Sequence, residues 1–155
     1  IVFGPHVITY GALLRIYFSV ATNPTELDHQ GPDEGTQYRG EIWPLNGTQR
    51  RIARSYIGQL TAAHTFEAPI VTRIEAVQGF YPAEGHHQNF LVRHPDYPYI
   101  VYNDLPKIAA LRRLFPGLYR NDPVLARTAK EDRHRDESTR LVRTFGVQLT
   151  APSPR

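Results

Sequence analysis

The chain has 155 residues, 41% hydrophobic and 21% charged, enough for one domain with a buried core. Its net charge of +3 is spread along the sequence, which argues against a nucleic-acid-binding surface, and no run approaches the roughly 20 apolar residues of a membrane span. Cysteine and methionine are both absent, so disulfides, thiolate metal sites and thiol nucleophiles are excluded within these residues.

Ile1 stands where a translated chain has Met, and Ile1-Val2-Phe3 reads as the interior of a strand closed by Gly4-Pro5. Both features predict a preceding N-terminal portion, and with it any targeting signal. Thr9 is placed to cap a helix to about Val20, with Leu13, Ile16, Tyr17 and Val20 facing the core. Asn23-Pro24-Thr25 ends it, because proline lacks a donor and disfavours helix in the residue before it.

Residues 23–37 are polar, show no periodicity, and are longer than a connecting loop usually is without a function. Within them, Gly31-Pro32-Asp33-Glu34-Gly35-Thr36-Gln37-Tyr38-Arg39 flanks an acid with glycines and follows it with a phenol. Such a stretch can present a carboxylate acceptor and a hydroxyl donor to one small polar ligand. On spacing alone it reads rather as an Asx turn followed by a strand with a packed Tyr38.

Tyr38 to Trp43 then reads as a strand. Thr48 is the expected cap of a helix over 49–63, with an apolar stripe of Ile52, Tyr56, Ile57 and Leu60 and with Arg50, Arg51 and Arg54 outside. Asn46-Gly47-Thr48 fits a glycosylation sequon but reads as the turn before that helix. Alternation over residues 70–76 predicts a strand, residues 83–93 a short helix, and Pro106 to about Phe115 a last helix stopped by Pro116-Gly117. Strands interleaved with helices give the expected class: α+β, two layers, a mixed sheet flanked by helices and incomplete at its N-terminus. Arg127 to Arg143 mixes six basic with four acidic residues on almost no apolar pattern. The expected division is therefore a domain over 1–125 and a mixed-charge, disordered tail over 126–155.

No metal site is expected. His86 and His87 are neighbours whose side chains diverge by about 100° on a helix, and no thiolate or suitably spaced carboxylate completes them. Ser19 and Ser55 lie within helices without an evident base, which sets aside a serine hydrolase.

The segment Gln30-Gly31-Pro32-Asp33-x-Gly35-Thr36-Gln37-Tyr38-Arg39 resembles the signature loop of the peptide methionine sulfoxide reductase A family. Asn23-Pro24-Thr25, Phe80-Tyr81-Pro82-Ala83-Glu84, His87-Gln88, Pro98-Tyr99-Ile100, Pro106-Lys107 and Leu114-Phe115-Pro116 are similar to further family segments in the same order, out to about residue 120. The resemblance implies thiol-dependent reduction of methionine-S-sulfoxide to methionine, in proteins or free, for protein repair. In the family a cysteine in a Gly-Cys-Phe-Trp segment attacks the sulfoxide sulfur and becomes a sulfenic acid, later reduced by thioredoxin. No bound cofactor is implied. By position, Asp33 and Tyr38 match the family's oxygen-binding acid and phenol, His87 a histidine lining the site, and Gln37 a residue orienting the loop. A monomer is expected, with neither nucleic acid nor membrane as partner, and a cytoplasmic setting is favoured.

The sequence also departs from the family. The Gly-Cys-Phe-Trp segment and its nearby glutamate are absent, Gly40 replaces a usual serine, Phe90 a common tyrosine and Asn89 a frequent acid. These residues by themselves therefore hold no catalytic group for sulfur chemistry. The alternative is a degenerate, non-catalytic module that binds a sulfoxide or a peptide.

Overall fold

The computed structural model describes residues 2–126; the segment expected to be a tail lies outside them apart from Ala126. The chain divides into two compact units. Among the described residues the first comprises 2–81 and 96–119, the second 82–95 and 120–126.

In the first unit Thr9 caps the first helix as its sequence predicts, its hydroxyl accepting the Ala12 N–H at 3.1 Å. Helix α1 covers Tyr10–Ile16 and runs on into a wider π turn, Tyr17–Ala21. Apolar residues lie almost all round this helix, so periodicity alone does not choose its inner face. That face is Leu14 and Phe18, four residues apart; the expected stripe of Leu13, Ile16, Tyr17 and Val20 is only half-buried.

Leu14 and Phe18 pack with Ile42 and Ala53 in the core, and Tyr56, Ile57, Leu60, Ile70 and Ile74 close around them. The Phe18 and Tyr56 rings lie 5.7 Å apart. Helix α2 spans Gly47–Ala62. Its cap is Asn46, whose side chain accepts the Gln49 N–H at 2.9 Å, rather than Thr48. Thr48 sits inside the first turn, where its hydroxyl accepts from the Arg51 guanidinium at 3.0 Å. Ala53, with no exposed surface, brings α2 close to its neighbours and turns Ile52 out of the expected stripe.

The strands are shorter than the sequence suggests. Val2 and Phe3 form none. The loop contains a small antiparallel hairpin, β1 (His29–Gln30) and β2 (Asp33–Glu34), with His29 opposite Glu34 and Gln30 opposite Asp33. The expected strand from Tyr38 shrinks to β3 (Glu41–Ile42), because Thr36–Tyr38 wind into a 3-10 turn. Strand β3 runs parallel to β4 (Arg73–Ile74), with Ile42 opposite Ile74. The predicted alternation holds only over 72–75, where Thr72 and Ile74 face inward and Arg73 and Glu75 outward; Val71 is half-buried like Ile70, and Ala76 is exposed. The class is α+β, with the strands among the described residues in one antiparallel and one parallel pair.

Later in the same unit a second π turn, Ile100–Asp104, leads into α4, Leu105–Leu114, with Pro106 in its first turn. The Arg15 guanidinium of α1 lies 5.4 Å from the centre of the Phe115 ring beyond α4.

In the second unit the helix expected over 83–93 is mostly turns and closes with only a short helix, α3 (Phe90–Arg93). Asn89 breaks it by adopting the left-handed conformation, φ 56°. The Arg93 guanidinium gathers the carbonyls of Gly85 at 3.1 Å, His86 at 2.8 Å and Gln88. The Asn89 side-chain amide pairs with the Ala126 backbone, donating to its carbonyl and accepting its N–H, both at 2.9 Å.

Candidate functional site

The site grows from the hairpin. Two residues, Gly31 and Pro32, join β1 to β2. Gly31 has φ +57°, so the turn pairs a positive φ at its first position with the negative φ of proline at its second, the signs a type II′ hairpin turn requires. Asp28 (φ 56°) precedes the hairpin and Gly35 (φ 126°) follows it, and the Gly35 N–H donates to the Asp28 carbonyl at 2.8 Å. This geometry holds Asp33 half-buried directly after the turn.

The Tyr99 hydroxyl donates a hydrogen bond to Asp33 Oδ2. That bond, assisted by burial and by the charges of Asp33 and Asp104, pushes the Tyr99 phenol up to about 12. Tyr38 adds the smallest part of that rise. The first unit thus bonds Asp33 to Tyr99, with Tyr38 on the 3-10 turn that follows the hairpin. Tyr38 is 41% exposed, and no hydrogen-bond partner holds its hydroxyl among the described residues.

The turn carrying Tyr38 is braced from its far side. The Arg39 guanidinium donates to the Thr36 carbonyl at 2.6 Å and lies 2.8 Å from Glu41 Oε2. The Glu41 side chain is 3% exposed, and the two meet as charges without an aligned hydrogen bond, leaving Arg39 Nε and Glu41 Oε2 with no hydrogen-bond partner. Beside them Gly40 is buried below three hydroxyls. A Cβ there would stand 3.2 Å from Thr72 Oγ1, 3.5 Å from the Tyr17 hydroxyl and 3.9 Å from Thr22 Oγ1. Burial pushes the Tyr17 phenol up; neighbouring Thr22 and the Glu41 backbone oppose this, and the Glu41 charge adds to it.

The Gln37 side chain folds back over Gly35, where its amide fills the space a Cβ would need, at 2.5 Å from Oε1. His87 belongs to the second unit. Its ring lies 4.0 Å from that of His86 at a tilt of 41°, and its Nε2 is 3.9 Å from Glu84 Oε2. The Phe90 and His94 rings lie 4.6 Å apart, tilted by 40°. Among the described residues no three His, Asp or Glu side chains converge as a metal would require.

Tyr99 is the member of the site that sequence reasoning passed over. It lies 66 residues from Asp33 in a Pro- and Tyr-rich passage without periodicity, so nothing local marks it. Its one signal is its place in the Pro98-Tyr99-Ile100 segment.

The comparisons with known proteins give the family. The sequence profile described as "Peptide methionine sulfoxide reductase" matches residues 1–116. The chain belongs to the peptide methionine sulfoxide reductase family. It is 59% identical to "Peptide methionine sulfoxide reductase MsrA 2" of Mesorhizobium japonicum over 129 residues, 83% of this chain and 66% of that protein. It is 41% identical to the protein of the same name from Synechocystis over 115 residues, 74% of this chain and 54% of the relative. The reduced form of Mxr1 from Saccharomyces cerevisiae superposes with a TM-score of 0.56 at 30% identity, covering 61% of this chain and 51% of Mxr1. The chain thus spans between about half and two thirds of these proteins. Against the reductase family's usual residues, Gly40 leaves Thr72 Oγ1 buried without a partner, and Asn89 clasps a backbone that an acid could not pair with on both sides.

Proposed function

We propose that this chain forms the oxygen-binding side of a methionine-S-sulfoxide reductase, with Tyr38 as the hydrogen-bond donor to the sulfoxide oxygen. A sulfoxide oxygen only accepts hydrogen bonds, so the site needs a donor whose proton is not already committed. Tyr99 commits its proton to Asp33, whereas the Tyr38 hydroxyl is open. That difference is the observation carrying the reading. Asp33, held as the acceptor for Tyr99, then keeps the second phenol in place and can hold a water at its other oxygen.

Reduction of one sulfoxide consumes two thiols, which become a disulfide, and the oxygen leaves as water with two protons. No thiol occurs among these 155 residues, so the nucleophile comes from outside them. Thioredoxin is the proposed final reductant and methionine-S-sulfoxide in oxidised proteins the proposed substrate. Both fit a reducing compartment such as the cytoplasm.

The test is an NMR titration of the chain with N-acetyl-methionine-S-sulfoxide, the R epimer serving as control. The expected result is a saturable shift at Tyr38 and Asp33 with the S epimer. Tyr38→Phe should weaken binding about tenfold, the loss of about one hydrogen bond of roughly 1.4 kcal/mol. Equal binding by Tyr38→Phe, or no perturbation around Asp33, would overturn the assignment.

A further inference from the structure

We propose that Gln30 is a positioning residue of this site, its side-chain amide tying the Asp33 hairpin to the end of the first helix. The proposal rests on the reading of Asp33 and Tyr38 given above. A hairpin of two residue pairs is too short to hold its own geometry in water. Asp33 therefore needs an anchor, and the residue facing it across the ladder is Gln30.

The Gln30 amide makes three bonds. Its Oε1 accepts from Thr22 Oγ1 at 2.7 Å and from the Asn23 N–H at 3.0 Å, and its Nε2 donates to the Asn23 carbonyl at 2.9 Å. A primary amide has the donor and acceptor of a peptide group, so Gln30 pairs with Asn23 as a neighbouring strand would. Thr22 and Asn23 directly follow the π turn Tyr17–Ala21, and Thr22 donates its own N–H back to Tyr17 O at 3.1 Å. The helix end, the amide and the acid thus form one mechanical chain. Glu26 braces the other side of the turn, taking the Gly31 N–H at 2.9 Å and the Asn23 side chain at 3.0 Å, and Pro24 O takes the Val71 N–H at 2.8 Å. Only Gln30 bonds to the helix end from the position facing Asp33.

Glutamine is the side chain this job requires. Glutamate keeps the two accepted bonds but sets a carboxylate oxygen against the Asn23 carbonyl; alanine loses all three contacts.

The readout is the phenol titration of Tyr99 in the full chain, followed by NMR, since the Asp33 bond is the first cause of its raised position. It does not depend on any sulfoxide. Gln30→Ala should bring Tyr99 down from about 12 toward the ordinary 10 while the core stays folded. Thr22→Val, which removes one of the three bonds, should move it less in the same direction and guards against a Gln30 variant that fails to fold. A loss of stability in both variants with Tyr99 still titrating near 12 would reduce Gln30 to a purely structural role and overturn the proposal. If Tyr99 moves as expected but the wild-type chain binds no S-sulfoxide, positioning stands and the substrate reading fails.

Discussion

The hydroxyl of Tyr99 points its proton at the carboxylate of Asp33, so the acid of the loop is already occupied by a donor from the far half of the unit. Two phenols of one site are thereby made unequal. One serves the protein and the other is left for a ligand.

That inequality has a pH signature. Tyr99 is raised from 10.0 to about 12 by the Asp33 bond, then by burial and neighbouring charge. A raised phenol contributes stability that is complete below pH 10 and is lost as pH climbs through 12. Phenolate absorbance against pH should show Tyr99 among the last of the nine tyrosines to ionise. In Asp33→Asn it should titrate near the ordinary value, and the alkaline unfolding transition should begin at lower pH.

The pair behind Tyr38 gives a second expectation. Glu41 is almost wholly buried while Arg39 keeps a third of its side chain in water, so breaking the pair strands the acid rather than the base. Arg39→Ala should destabilise the chain by about 2–4 kcal/mol in urea unfolding, near the lower part of the range for buried pairs because Arg39 is partly solvated. Arg39→Ala combined with Glu41→Gln should recover part of that loss. A single variant within about 0.5 kcal/mol of wild type would contradict this account.

Gly40 offers a third. Alanine there presses a methyl to 3.2 Å of the unpartnered Thr72 Oγ1 and supplies no hydrogen bond in return. Serine adds a hydroxyl within reach of the same group. Gly40→Ser should therefore be more stable than Gly40→Ala by about 1 kcal/mol, measured as the difference in thermal midpoints. Equal midpoints would mean that Thr72 finds its partner elsewhere.

The start of α2 provides the last. Asn46 accepts the Gln49 N–H at 2.9 Å, so Asn46→Ala should cost about 1 kcal/mol. Thr48→Ala removes only an exposed contact to Arg51 and should cost less than about 0.5 kcal/mol. The reverse order in chemical denaturation would restore Thr48 as the cap.

What sequence could and could not reveal follows from how local each feature is. Thr9 as a cap and the helix from Pro106 to Leu114 were legible because each signal lies within one turn of its effect. Asp33 and Tyr38 stood out through the likeness of the loop to the family's signature segment, not through spacing, which reads as a turn. The inner face of α1 was misread because an all-round apolar helix has no phase to read. Asn46 and Thr48 are both good caps two residues apart, and only the folded backbone, which turns the Gln49 N–H to Asn46, decides between them. The strand expected from Tyr38 failed because the Arg39 side chain closes a turn on Thr36 O that backbone propensity does not anticipate. Gln30 and Tyr99 are tertiary facts, one reaching back to a helix end and the other across most of the unit.

The span between Asp33 and Tyr99 has a kinetic consequence. Closing a loop of 66 residues carries an entropy cost on the order of 4 kcal/mol, which no local contact offsets in advance. The acid meets its phenol only when the two ends of the unit have already come together. A partly folded chain has a loop but no oxygen site. Ligand binding at Asp33 and Tyr38 would therefore count finished molecules, and it would lag behind helix formation in any refolding experiment.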